Sequence, residues 1–443
     1  MNRIVHVDKR LLSIVFAGIW ILFPLRDAIG FYIGQTPIRP AEVWLIISCT
    51  LLCVCMRLKY EKYELMLITF ISINLVLTIL GVLISNGIVL SFAIKYIARN
   101  IVYLAVLIIF LGTGYQIDDI YIDNLMKYTV IIQAIACVYR IVFNKFLYLG
   151  KIINAYEYFD ANFIEIARYA LPRLKGTCSE PGYLAPLMAM LLYYFISVYF
   201  KISVNKRERK KAIIYIVIIL VISLFSFSSA VYGMDTLALI LVLCQKNPFI
   251  RKYVAILIGI VGVVILAFII YGNESLRVAF VDNVYNKIVS FLSRNKNLDF
   301  NYSAVDRAQH LDHAIEMLYK NSPIQYVIGR GTGAYYYSVQ SEIGFLQNNV
   351  SEANNIYLST LTDRGLLGLL CIVFVFIIAI KKRIKHDIIS ETLYIGIMAQ
   401  GIHWIIVGNF WLYYFWVEIL LLIGYKRFVI NNLNNTEDYT ARN

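Results

Sequence analysis

The feature that most constrains this chain is a succession of twelve apolar runs, at about 11–30, 41–56, 64–84, 90–111, 122–143, 183–200, 212–229, 231–245, 253–271, 365–380, 388–407 and 410–425. A helix needs about 20 mostly apolar residues to cross a bilayer, and it satisfies every backbone N–H and C=O within itself. Composition agrees: 60% of the 443 residues are hydrophobic and 16% are charged, against about 45–50% and about 25% in soluble domains. These numbers exclude a soluble enzyme, a disordered chain, a collagen-like chain and a disulfide scaffold. The predicted fold class is an all-α integral membrane protein with about twelve transmembrane helices, a single polytopic domain over 1–443.

Charge sets the expected orientation. Lys201, Lys206, Arg207, Arg209, Lys210 and Lys211 fall between two runs, Lys246, Arg251 and Lys252 between the next pair, and Lys381, Lys382, Arg383 and Lys385 between two more. With Arg3, Lys9, Arg10, Arg57, Lys59 and Lys62, these all share one side if the twelve runs alternate. Basic loops stay cytoplasmic, so that side and both termini are expected in the cytoplasm. The basic start followed by an apolar run, without a small-x-small cleavage site, reads as an uncleaved first helix. Two long segments, 144–182 and 272–364, then face outward. Neither is rich in Gly and Ser, so both are expected to fold. Leu311, Ala314, Ile315 and Leu318 follow helical spacing and predict an amphipathic helix in the larger one. No metal or disulfide spacing relates the seven cysteines.

Candidate chemistry concentrates on the outward side. Lys95 and Arg99 lie four apart within one run, where ionisable groups are costly and commonly face a cavity or ligand. In Arg173-Leu174-Lys175-Gly176-Thr177-Cys178-Ser179-Glu180-Pro181, two cations precede a carboxylate that Pro181 keeps out of the helical region. Glu180 can orient Arg173 or accept a proton, or it can simply cap a helix start beside a surface ion pair. Asp306 and Arg307 open the amphipathic helix, whose polar flank carries His310 and His313; no third metal ligand stands at a recognisable spacing, and no metal is expected. Gly329-Arg330-Gly331-Thr332-Gly333 is either a plain turn or an anion-binding nest. It is no nucleotide loop, since no Lys-Ser/Thr follows it. Tyr335, Tyr336 and Tyr337 offer rings that stack on sugars or sit in an interfacial belt. Glu352-Ala353-Asn354-Asn355-Ile356-Tyr357-Leu358 then leads to Asp363-Arg364-Gly365-Leu366-Leu367-Gly368 and the next run.

In order and topology these elements resemble the bacterial O-antigen polymerases and ligases. The resemblance rests on Lys95 and Arg99, on Arg173 to Glu180-Pro181, on the Arg307 helix followed by Pro323 to Gly333, and on Asn355-Ile356-Tyr357-Leu358. It implies transfer of a glycan from polyprenyl diphosphate to a sugar hydroxyl at the outer face of the bacterial inner membrane. Neither cofactor nor nucleic acid takes part, and the partners are the carrier-linked oligosaccharide, membrane lipids and a chain-length regulator. Arg173 and Arg307 are the implied catalytic cations, with Glu180 and Glu352 as candidate bases. Arg99, Lys95 and Arg330 would hold the diphosphate, and Asn354, Asn355, Tyr357 and Tyr336 the glycan. Ligases of the family usually carry a histidine where this chain has Asn354, which favours a polymerase. A ligase, a flippase for lipid-linked oligosaccharide and an envelope scaffold are the alternatives.

Overall fold

The computed structural model describes residues 9–25, 28, 31–33, 36–54, 59–85, 87–143, 163–164, 171–172, 174–178, 180–201, 205–243, 302–342, 353–406 and 413–440, with a few single positions between 255 and 292. The chain begins with α1 (Lys9–Leu22), an antiparallel ribbon of β1 (Phe31–Ile33) and β2 (Thr36–Ile38), α2 (Pro40–Cys53), α3 (Lys62–Ile84), α4 (Leu90–Thr113) and α5 (Asp119–Phe143). A second ribbon pairs β3 (Phe163–Ile164) with β4 (Leu171–Pro172). Then come α6 (Pro181–Phe200), α7 (Lys206–Leu224), α8 (Ser229–Leu243), α9 (Tyr302–Tyr319), α10 (Pro323–Ile328) and α11 (Ala334–Glu342). The chain continues through α12 (Ile356–Lys382), α13 (Ile388–His403) and α14 (Tyr413–Thr440).

Among the described residues, α3, α4, α5, α6 and α12 are long and apolar enough to cross a membrane, while α1, α2 and α8 are apolar but shorter. α13 has 16 residues, and α7 opens on Lys206-Arg207-Glu208-Arg209-Lys210-Lys211, which shortens its apolar part. The run at 253–271 lies almost wholly outside the described residues. The two short ribbons were not foreseen: two- and three-residue strands are too short for an alternating pattern to show.

Sequence decides which helix sits at the centre. Every residue of α6 from Leu184 to Ser197 is buried, because the segment is apolar on all faces and has no polar stripe to turn outward. It packs against α7, α8 and α13. α3 lies at the periphery. Its Leu67, Ile71, Asn74 and Thr78 face inward against α4 and α12, while Leu65, Val76, Leu80, Leu83 and Ile84 are exposed.

The basic clusters gather at one end of the bundle. There Lys382 Nζ donates to Glu61 Oε2 at 2.5 Å and to Glu64 Oε1 at 3.0 Å, and Arg427 Nη2 donates to Glu64 Oε2 at 2.7 Å. Lys127 bridges Asp123 and Glu208 at the same end. The expectation that the loops near 57–62, 201–211 and 381–387 share a side holds for their described residues.

α9, α10 and α11 lie towards the other end. A helix does cover Leu311 to Leu318, but its buried face is Ala308, His310, His313, Ala314 and Met317, so Leu311, Ile315 and Leu318 are half-buried and the two histidines expected on the polar flank turn inward, where they bond α11. α12 begins nine residues before its apolar run, and it is broken. Gly365 has φ 65° and ψ −165°, so the helix is two halves joined at that residue. A Cβ there would meet the backbone of Val327 and Gly329, so glycine is required both by the dihedral and by the close approach of α10. Gly365→Ala should lower the thermal unfolding temperature of the detergent-solubilised protein, at a cost of about 1–3 kcal/mol. An unchanged melting curve would refute the close packing.

Candidate active site

The C-terminal end of α13 organises the end of the bundle remote from the basic clusters. A helix end leaves its last carbonyls without intrahelical partners. Here Tyr357 Oη donates to Gly401 O at 2.6 Å, Ile356 N to Trp404 O at 2.9 Å, and Asn355 Nδ2 to Ile405 O at 3.0 Å. Asn355 Oδ1 meanwhile accepts from Leu358 N at 3.0 Å and caps α12. The polar atoms of Asn355 and the Tyr357 hydroxyl are thus spent on fastening α12 to α13. Both residues expected to contact the glycan therefore also serve the fold. Asn354, half-buried at φ 53°, makes the left-handed turn into this staple, a conformation asparagine tolerates.

His403 closes α13 and is 0% exposed. Its Nδ1 lies 3.5 Å from Gln400 Nε2, and its ring meets Tyr183 edge to face at 5.8 Å between centroids. Nε2 has no hydrogen-bond partner and lies 3.7 Å from the position a Cβ of Gly182 would take. An unpaired buried polar atom costs about 1–3 kcal/mol. Arg307, on the second turn of α9, lies close enough for its charge to act on the His403 ring. Among the described residues no hydrogen bond or ion pair engages the Arg307 guanidinium. Glu180 precedes Pro181 and Gly182, and its backbone is extended at φ −136° and ψ 155°, as a residue before proline should be. It occupies the cap position of α6, yet its side chain makes no capping bond. The expected helix-capping role of that side chain is therefore absent. His403 Nε2 thus faces the Glu180-Pro181-Gly182 turn without a partner, and the Arg307 charge acts on the same ring.

Other expected residues lie elsewhere or are already engaged. Arg330 Nε donates to Asn321 Oδ1 and its Nη2 to Met317 O at 2.6 Å. Met317 lies ten residues along α9 from Arg307, roughly 15 Å at ~1.5 Å per residue. The glycine-rich turn is a nest whose anion is internal: Gly333 N donates to Asp363 Oδ2 at 3.0 Å, and Tyr335 N to Asp363 Oδ1 at 3.2 Å. The Arg330 and Gly331 amides donate to Thr362 O and Asp363 O, each at 2.9 Å. An external diphosphate at the amides of this turn would have to displace a carboxylate held by the chain itself. His310 Nδ1 lies 2.6 Å from Tyr335 Oη, and His313 Nε2 lies 2.9 Å from Ser338 Oγ; both histidines join α9 to α11. Tyr336 meets Phe92 edge to face at 5.9 Å.

Lys95 and Arg99 are exposed on α4 beside Ile94, Ala98 and Ile101, while Ala93, Tyr96, Asn100 and Tyr103 form its buried face. A cation that does enter the helical interior is Arg364, 3% exposed. Its Nη1 donates to Asn74 Oδ1 at 2.6 Å and its Nη2 to Thr360 Oγ1 at 2.8 Å, and its Cζ lies 4.6 Å from the Tyr96 ring centroid. Asn74 in turn donates to Asn100 at 2.8 Å. Arg173 and Glu352 lie outside the described residues. A separate cavity of about 450 Å³ opens between the end of α3 and α10–α11, with Gly81, Ser85, Gln325, Arg330 and Tyr337 in its wall.

His403 was not singled out from the sequence, although a lone histidine within the 388–407 run carried the signal: ionisable groups inside apolar spans are costly and are commonly functional. What the geometry defines is a multi-pass helical membrane protein with a cationic, partly uncommitted polar site where three outer helices meet the bundle. Residues 236–373 match the protein family described as O-antigen ligase, a match that takes in Arg307, Arg330, the Asn354-Asn355 turn and Gly365-Leu366-Leu367-Gly368. The similarity is confined to that segment of the chain. No curated protein matches the chain.

Proposed function

We propose that the protein is a surface-polysaccharide polymerase. It transfers a growing glycan from polyprenyl diphosphate to the non-reducing sugar of a new carrier-linked repeat unit. The observation that carries this reading is the uncommitted Arg307 guanidinium, whose charge acts on the buried His403 ring at the end of the bundle away from the basic clusters. Breaking a glycosyl–phosphate bond leaves a diphosphate, and preorganised cations stabilise that charge as it develops. Arg307 serves this role, joined by Arg173 from the preceding segment, and the chemistry needs no metal. Lys95 and Arg99, exposed on an apolar helix face, suit attraction of the anionic carrier along the membrane better than contact at the reacting bond. Glu180 and Glu352 are the carboxylates available on the acceptor side, and Tyr336 is the remaining ring for the glycan.

The basic end of the bundle lies in the cytoplasm on this reading, and the site opens at the outer face of the inner membrane. Twelve crossings place both termini inside, with 144–182 and 272–364 outside. Asn354 favours a polymerase over a ligase, because it stands where ligases of the family usually carry histidine. Deleting the gene in its host and resolving the surface glycolipid on a gel tests the reading. Core carrying a single repeat unit is the expected result. Bare core with polymer accumulating on the carrier would identify a ligase, and units trapped on the cytoplasmic leaflet a flippase. A normal ladder would sink all three.

A further inference from the structure

We propose that the cavity between the far end of α3 and α10–α11 holds the carrier diphosphate of the incoming repeat unit, a second polyprenyl-diphosphate site apart from Arg307. That site presupposes the polymerase reading above and deepens it, since a polymerase, unlike a ligase, joins two glycans that are both carrier-linked. α3 starts among the basic clusters at Lys62 and is long enough to cross a membrane, so its last turns, Leu77 to Ile84, reach the opposite end of the bundle. The cavity there, about 450 Å³, is within the range of about 300–1,000 Å³ for pockets that enclose small ligands.

Arg330 stands in its wall with the guanidinium already fixed, since Nε donates to Asn321 and Nη2 to the Met317 carbonyl. Among the described residues no hydrogen bond engages Nη1. Gln325 lies in the same wall; its Oε1 accepts from Ser322 N, and no bond among the described residues engages its Nε2. No Asp or Glu stands among the described residues that line the cavity. A cation held by two bonds with a third nitrogen open is preorganised for an anion. The turn that carries it is pressed against α3, where a Cβ at Gly81 would stand 2.6 Å from Gly331 Cα. Leu80, Ile84 and Ile324 line the same cavity and are exposed, so its apolar side continues onto the surface. Cation within and aliphatic groups alongside, at the end of a membrane helix, fit an amphiphile with its charged head in the cavity and its chain along α3.

Spacing assigns this head to the acceptor. Met317 lines the cavity, and Arg307 stands ten residues earlier on α9, roughly 15 Å away at ~1.5 Å per residue. One diphosphate cannot touch both places, whereas a short oligosaccharide bridges them. The acceptor attacks with its non-reducing sugar and carries its diphosphate at the other end, so the two diphosphates must lie about one repeat unit apart. No bond forms or breaks in the cavity; it sets where the attacking sugar reaches.

The test measures how many undecaprenyl diphosphate molecules the full-length protein binds in phosphatidylcholine nanodiscs. Wild type should bind two. Ile324→Glu, which puts a carboxylate in the cavity wall at an exposed position, should bind one, and so should folded Arg330→Gln. Ile324→Glu should also raise the KM for carrier-linked repeat units about tenfold, the effect of losing one charge-assisted hydrogen bond, with kcat unchanged. A single molecule on wild type, or two on both variants, would overturn the second site alone. Phosphatidylglycerol displacing the second molecule as readily as undecaprenyl diphosphate does would make the cavity a general anionic-lipid site and overturn it as well. Wild-type protein that moves glycan to core lipid and never to a repeat unit would overturn the polymerase reading, and the acceptor site with it.

Discussion

Replacing Arg307 with alanine should collapse the surface glycolipid ladder to core plus one repeat unit while the protein stays in the membrane at its normal level. Removal of one preorganised donor to a developing anion typically costs about 10²–10³ in rate, enough to end chain growth. The effect is specific to this arginine because of what the others do. Arg330 holds Asn321 and the Met317 carbonyl, and Arg364 holds Asn74 and Thr360. Substituting either should therefore act first on folding yield and thermal stability. Arg307→Lys should keep part of the activity, since an ammonium retains the charge but not the two-pronged contact with phosphate. Full-length ladders from the alanine variant would refute the diphosphate role.

The second large effect is expected at the opposite end of the bundle and concerns stability. Glu64 is fully buried and faces two cations: Lys382, whose side chain is 2% exposed, and Arg427. Glu64→Ala leaves Arg427 without its carboxylate and Lys382 with only the half-exposed Glu61. Breaking a buried pair in this way costs about 3–5 kcal/mol, because the remaining charge stays out of water. Glu64→Gln should cost less. Glutamine can still close the reciprocal cap in which Glu61 N donates to the side chain at position 64. Thermal unfolding in detergent gives the comparison, and equal melting temperatures for wild type and Glu64→Ala would disprove the network. Glu316→Ala breaks an exposed helix pair with Lys320 and should leave the melting temperature unchanged.

Local pattern accounts for much of the architecture. Within the described residues the apolar runs became helices, a helix covers Leu311 to Leu318, and the residue before Pro181 is extended, because each depends only on neighbours a few positions away. Two boundaries escaped for related reasons. α12 starts at Ile356 rather than at the apolar run, since its first half is polar and is held by contacts to α10 and α13. Its break at Gly365 belongs to α10, whose backbone occupies the space a side chain would need.

The site divides in the same way. Residue type and spacing alone identified Arg307 and Glu180, and also Arg330, Asn355 and Tyr357, as polar groups near the outer helix ends. They did not distinguish those spent on the fold from those left for a ligand. That division depends on partners far along the chain: Tyr357 bonds Gly401 across 44 residues, Gly333 bonds Asp363 across 30, and Arg364 bonds Asn74 across 290. A hydrogen-bonding group in the chain sequence is only an inventory of donors and acceptors. Packing in a medium without water decides which of them must pair with one another. For this protein the sequence by itself determined the membrane class, the sidedness of charge and the candidate polar groups. The tertiary structure alone buried His403 against Gly182 with Nε2 unpaired, because only the folded bundle packs the end of α13 on α6.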